Sequence, residues 1–136
     1  MPPIKINHIA VVVNDVPTAL NFWQQALGLP LSHTERNENE EVEIAFLPVG
    51  DSEVELIAPT TSDSGVAKFL ANRGPGLHHL CIEVDDLAMS MTQLAANGAQ
   101  LISETPRTRD DGIRYAFVHP KSTGGVLVEL YELPKG

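Results

Sequence analysis

Ile6-Asn7-His8-Ile9-Ala10-Val11-Val12-Val13-Asn14-Asp15-Val16 lies over Leu77-His78-His79-Leu80-Cys81-Ile82-Glu83-Val84-Asp85-Asp86-Leu87 when the chain is slid against itself by 71 residues, the step from His8 to His79. Each run is apolar and β-rich, carries a histidine at the same place, and ends in an acidic residue. At the same offset Ala45-Phe46-Leu47 meets Ala116-Phe117-Val118, and with a small slip Val54-Glu55-Leu56 meets Val128-Glu129-Leu130. Three matching segments in the same order mark a tandem duplication, and a repeat constrains the fold before any local reading does.

Working outward from the two opening runs, Asp15 and Asp86 sit where a helix N-cap belongs, each ahead of apolar residues at helical spacing. Val16, Ala19, Leu20, Trp23 and Leu27 form one stripe; Leu87, Met91, Leu94 and Ala95 form the other, with Gly98 placed to stop the helix. Such stripes pack against a sheet. Three shorter strand-like segments follow in each half, around 30–37, 42–49 and 52–58, then around 100–105, 113–119 and 125–132. Each half therefore reads βαβββ. Between the halves, Asp63-Ser64 can cap a short helix through Val66, Phe69 and Leu70, and Gly74-Pro75-Gly76 breaks it. The expected architecture is α+β: one domain over residues 1–136, with half 1 about 1–62, a connector helix about 63–75 and half 2 about 76–136. A half of this size is marginal alone, so the two are expected to share a curved mixed sheet around a cavity.

The composition narrows the classes. The chain has 136 residues, 43% of them hydrophobic, which fits a folded domain and argues against disorder. No apolar run approaches the roughly 18 residues of a membrane span, and the opening residues lack the apolar core of a secretory signal, so no membrane partner and a cytoplasmic location are expected. The single cysteine, Cys81, cannot form an internal disulfide. Eighteen acidic against nine basic residues give a net charge of -9 with no basic cluster, so nucleic acid is not an expected partner. A phosphorylated small molecule stays possible, because screening limits distant charges to about 10 Å.

His8 and His79 lie at equivalent places on the opening strands, and Glu55 and Glu129 at equivalent places in the closing ones. A carboxylate turned inward from an apolar strand is costly unless it is paired or bound to metal. Two histidines and two carboxylates related by the repeat make a four-ligand set for one divalent ion, with Zn, Co, Ni and Mn all suited to it. On residues alone, Glu55 and Glu129 could instead face solvent from edge strands, with the histidines hydrogen-bonded in the sheet. His78 is adjacent to His79, but neighbouring strand residues face opposite ways and its repeat partner is Asn7. His33 and His119 have no repeat partner and read as surface or turn residues.

These residues, with the doubled βαβββ pattern, resemble the vicinal oxygen chelate superfamily over essentially the whole chain. Within it, Ala45 to Gly50, Asp63-Ser64 with Val66 to Leu70, Gly76 to Leu80, and above all His119-Pro120-Lys121-Ser122-Thr123-Gly124-Gly125-Val126-Leu127-Val128-Glu129-Leu130 are similar to the methylmalonyl-CoA epimerases. The resemblance implies metal ligands at His8, Glu55, His79 and Glu129, a general base at Glu43, and Glu129 as the second base. It further implies an acyl-CoA substrate and a homodimer. The reaction so implied is interconversion of (2R)- and (2S)-methylmalonyl-CoA by two-base proton transfer through a metal-stabilised enolate. On its own, Glu43 alternates with Val42 and Ile44 and could be the polar side of a strand. The segment Arg107 to Arg114 departs from the Gly-containing loop of these epimerases, and Arg107, Arg109, Arg114, Lys121 and Lys68 are possible contacts for CoA phosphates. A glyoxalase-like lyase acting on a glutathione hemithioacetal could use the same ligand set, and a non-catalytic small-ligand binder is the further alternative.

Overall fold

In the structure, a computed structural model describing residues 2–135, every expected helix begins on the side chain the sequence offers for it. The Asp15 carboxylate accepts from the Thr18 N–H at 2.8 Å, Ser64 Oγ from Ala67 N–H at 3.0 Å, and Asp86 from Met89 N–H at 3.0 Å. Each cap satisfies one N–H that the first helical turn cannot satisfy internally. The chain divides into two compact units: His8–His78, and the described residues of Met1–Asn7 with His79–Gly136.

The unit His8–His78 takes most of β1 (Lys5–Val12), then α1 (Val16–Leu20), β2 (His33–Asn37), β3 (Val42–Val49), β4 (Ser52–Pro59) and α2 (Gly65–Arg73). The strands lie in the order β2-β3-β4-β1, with β1 parallel to β4 and the other neighbours antiparallel. Val13, Val16, Ala45, Leu47, Leu56 and Ala58 form a core on the face covered by α1. The opposite face buries Ala10, Val42 and Ile57, with Val66 of α2 packed on them.

One stripe residue leaves its expected place. α1 runs on into a π-helical stretch, Asn21–Ala26, in which Leu27 N–H donates to the Phe22 carbonyl at 2.8 Å, five residues back. The wider turn advances the stripe by one residue, so Trp23 still packs on the core while Leu27 is exposed. α2 ends at Gly74, whose φ of 76° is open to glycine, and its N–H closes on the Leu70 carbonyl.

The second unit holds most of β5 (Gly76–Glu83), then α3 (Leu87–Ala96), β6 (Arg107–Thr108), β7 (Arg114–Val118) and β8 (Leu127–Glu132). Its order is β5-β8-β7-β6, with β5 parallel to β8 and the remaining pairs antiparallel. Each half is thus α+β with the order βαβββ, and the same strand pairings recur in both. Residues before His8 group with this unit: Ile4 N–H donates to the Glu83 carbonyl at 2.8 Å and the Asn7 side-chain amide to the Glu83 carboxylate at 3.2 Å. Val84, Leu87, Met91, Ala116, Val118 and Leu130 form the core under α3, whereas Ala95 is exposed.

The strand expected around 100–105 is displaced. Leu101 makes an isolated bridge to Val118, with Ile102 N–H on the Phe117 carbonyl, but 103–105 bend away and pairing resumes only at Arg107 opposite Tyr115. Pro106, with no N–H to give a ladder, sits at that break.

Candidate metal centre

In the unit His8–His78, the parallel register sets Ala10 opposite Glu55, and the antiparallel register sets Phe46 opposite Glu55. Alternation then places His8, Ala10, Ile44, Phe46, Glu55 and Ile57 on one face. His8, 2% exposed, brings Nδ1 to 3.2 Å from Glu55 Oε2, and the Glu55 side chain is 12% exposed.

The other half repeats the arrangement. Cys81 and Phe117 both lie opposite Glu129, so His79, Cys81, Phe117, Glu129 and Tyr131 share a face. His79 Nε2 is 3.1 Å from Glu129 Oε1, both residues are buried, and the Phe117 ring stands edge-on to the imidazole at 6.0 Å. β4 is flanked by β3 and β1, and β8 by β5 and β7. Neither glutamate is therefore on an edge strand, and the reading that turned them to solvent from an edge fails.

Each half thus delivers a buried imidazole with a carboxylate within hydrogen-bond distance, buried at Glu129 and partly buried at Glu55. A carboxylate taken out of water costs several kcal/mol unless its lone pairs are used, and an imidazole N–H is one use for them. Nitrogen and carboxylate oxygen donors of this kind suit Zn, Co, Ni or Mn, so the residues present fit a divalent ion.

Glu43 lies in β3, opposite Ala58 of β4 and Arg36 of β2.

The other histidines are accounted for locally. His78 turns to the Phe69 ring at 5.0 Å; His33 is exposed, stacked on Phe46 and bridged to Glu35; His119 Nδ1 accepts from Lys121 N–H and caps a short 3-10 turn. Of the basic residues singled out in the sequence, Arg114 pairs with Glu132 at 3.4 Å. Arg109 Nη1 donates to Tyr131 Oη at 2.8 Å, and the guanidinium lies 5.7 Å from that ring's centroid. Burial acts to lower Arg109, but Tyr131, Asp111 and Glu129 together hold it above its ordinary value. Sequence reasoning weighed Arg109 only as a phosphate contact and passed over Tyr131. Tyr131 was within reach of the alternation rule, since it lies two residues from Glu129 on the same strand.

A duplicated βαβββ chain in which each half's first strand supplies a histidine and its last strand a glutamate defines a recognisable class. The chain belongs to the Glyoxalase/Bleomycin resistance protein/Dioxygenase superfamily, whose pattern matches residues 7–117. Within it, the chain is similar to named epimerases. It is 35% identical over 127 residues to the mitochondrial methylmalonyl-CoA epimerase of Mus musculus, covering 93% of this chain and 71% of that one. The crystal structure of methylmalonyl-CoA epimerase from Mycobacterium tuberculosis matches with a TM-score of 0.86 and 35% identity over 98% of this chain and 90% of that one. A variant of the Streptomyces coelicolor methylmalonyl-CoA epimerase, in complex with 2-nitronate-propionyl-CoA, matches with a TM-score of 0.85 and 31% identity over 98% of this chain and all of that one.

Proposed function

We propose that this protein is an epimerase that interconverts (2R)- and (2S)-methylmalonyl-CoA, with His8, Glu55, His79 and Glu129 holding one divalent ion. The observation that carries the reading is the pair of repeat-related imidazole–carboxylate contacts, in a chain 35% identical to a methylmalonyl-CoA epimerase. The two halves then act as one metal-binding domain. A cytoplasmic homodimer belongs to the same reading, through the resemblance.

An ion held there would polarise the thioester carbonyl and lower the barrier to losing the α-proton by several kcal/mol. The chain's own residues do the rest. His8 and His79 fix the ion from the opening strands, and Glu55 balances charge. Glu129, a carboxylate on the same face as His79, takes the proton. Once the α-carbon is planar, inversion needs a proton to arrive on its other face, because one base returning its own proton restores the starting isomer. In this reading that second base is Glu43 of β3, as the resemblance implies.

The test is solvent deuterium exchange at the α-carbon of both stereoisomers, with metal-loaded and EDTA-treated protein. Exchange and interconversion are expected with metal and lost without it. Glu43→Gln is expected to lower interconversion by about 10²–10⁴-fold, the loss of a general base. If metal-loaded wild-type protein shows no exchange while a glutathione hemithioacetal turns over, the assigned reaction is wrong.

A further inference from the structure

The duplication sets one phenylalanine beside each candidate ligand carboxylate, and the two rings are put to different uses. Phe46 stands opposite Glu55 and Phe117 opposite Glu129, at positions that the 71-residue repeat superposes. Both are half-buried. In the second half the Phe117 ring lies edge-on to the His79 imidazole, with centroids 6.0 Å apart and planes at 85°. Tyr115, two residues back on the same face of β7, packs edge-on against Phe117 in turn, at 6.2 Å and 82°.

In the first half the residue at the repeat position of Tyr115 is Ile44, and the Phe46 ring stacks on His33 of β2 at 4.5 Å and 12°. That imidazole is itself held by Ser32 Oγ at Nδ1, 2.9 Å away, and by Glu35 at Nε2, 3.1 Å away. The flanking strands account for the difference. β2 pairs with β3 over five residues and starts with His33 opposite Phe46, whereas the segment beside β7 reaches Phe117 only through the Ile102 N–H before it bends away. Phe46 is spent on the edge of its sheet, and Phe117 is left to the ligand face.

A histidine that serves as a ligand has a soft torsion to control. The χ2 angle of an imidazole has broad, roughly two-fold wells, and half a turn exchanges Nε2 for Cε1 and Nδ1 for Cδ2. One of the two states turns Nε2 to Glu129 Oε1, the contact of 3.1 Å. A perpendicular ring is a directional neighbour, because the ring quadrupoles favour edge-to-face packing at this range. Phe117 therefore favours one plane for the imidazole, and Glu129 favours one end of it.

We infer that Phe117, braced by Tyr115, is a positioning residue for His79: it locks the ring plane that a ligand needs, while its repeat partner Phe46 has no such duty toward the metal centre. The inference rests on the proposed function in taking His79 as a ligand, but the lock itself is a property of the ion-free chain.

The experiment compares wild type, Phe117→Leu, Tyr115→Leu and, as the repeat-matched control, Phe46→Leu. In ion-free protein the order parameter of the His79 ring C–H groups is read by NMR relaxation. It is expected to be that of a rigid group in wild type and in Phe46→Leu, to fall below about 0.6 in Phe117→Leu, and to fall less far in Tyr115→Leu, which keeps the test open should Phe117→Leu fail to fold. The same proteins are titrated with Co(II), read by its visible spectrum. Phe117→Leu is expected to weaken binding by about 10-fold or more, the scale of lost support around a ligand, with the control unchanged. At saturating metal, kcat toward methylmalonyl-CoA should fall in Phe117→Leu and KM stay as it is. A His79 ring as ordered in Phe117→Leu and Tyr115→Leu as in wild type, or equal effects of Phe117→Leu and Phe46→Leu, would overturn the inference. If wild type shows no α-proton exchange while ring order and Co(II) affinity still depend on Phe117, the reaction is misassigned and the positioning role stands.

Discussion

In the proposed function Glu129 carries two burdens in a single side chain, a ligand's and a base's, and substitution can separate them. The residue is 6% exposed, set between β5 and β7, with His79 3.1 Å away. Replacing it with glutamine keeps the shape and leaves one carbonyl oxygen able to ligate, but the amide cannot accept the α-proton. Glu129→Gln is therefore expected to lower α-proton exchange by about 10²–10⁴-fold while the protein stays folded and still binds metal, more weakly. Exchange kinetics and a metal titration on the same preparation separate the two. A variant that exchanges at the wild-type rate would remove Glu129 from the base role.

At the scale of elements, the cores under α1 and α3 set how firmly each half presents its ligands. Leu56 sits in β4 beside Glu55, fully buried against the α1 side. Leu56→Ala should cost about 2–5 kcal/mol through lost burial and a cavity. The exposed cap change Asp86→Ala should cost about 1 kcal/mol. Urea unfolding with unchanged m-values would check the order, and a Leu56→Ala effect no larger than the cap's would mean that the α1 core is not what holds β4. Helix starts and strand existence were legible in the sequence because a capping aspartate or serine and an apolar stripe are local signals. The π-helical stretch was not, since five-residue hydrogen bonding leaves no mark in composition. Nor was the displaced β6, where a short pairing depends on its partner strand and on Pro106. His8, Glu55, His79 and Glu129 stood out as candidates because the duplication asks for a histidine and a carboxylate twice.

For the whole molecule, duplication raises a question of stoichiometry. Two imidazole–carboxylate pairs, one from each half, could each hold an ion weakly, or together hold one ion tightly. Two protein ligands leave most of a divalent ion's coordination to water, whereas four protein ligands make a site of the usual structural or catalytic kind. Joint ligation is what the proposed function needs, and it gives a definite result: one ion per chain by elemental analysis after dialysis, with His8→Ala and His79→Ala each abolishing tight binding, although they change different halves. Because the ion binds the folded chain and not the unfolded one, saturating it at about 100-fold above Kd should add about 2.7 kcal/mol of stability, lost in both variants. Independent pairs would instead give two ions per chain, and each substitution would remove one and leave the other. That result would end the single-centre reading, and with it the assignment of the epimerase chemistry to these four residues.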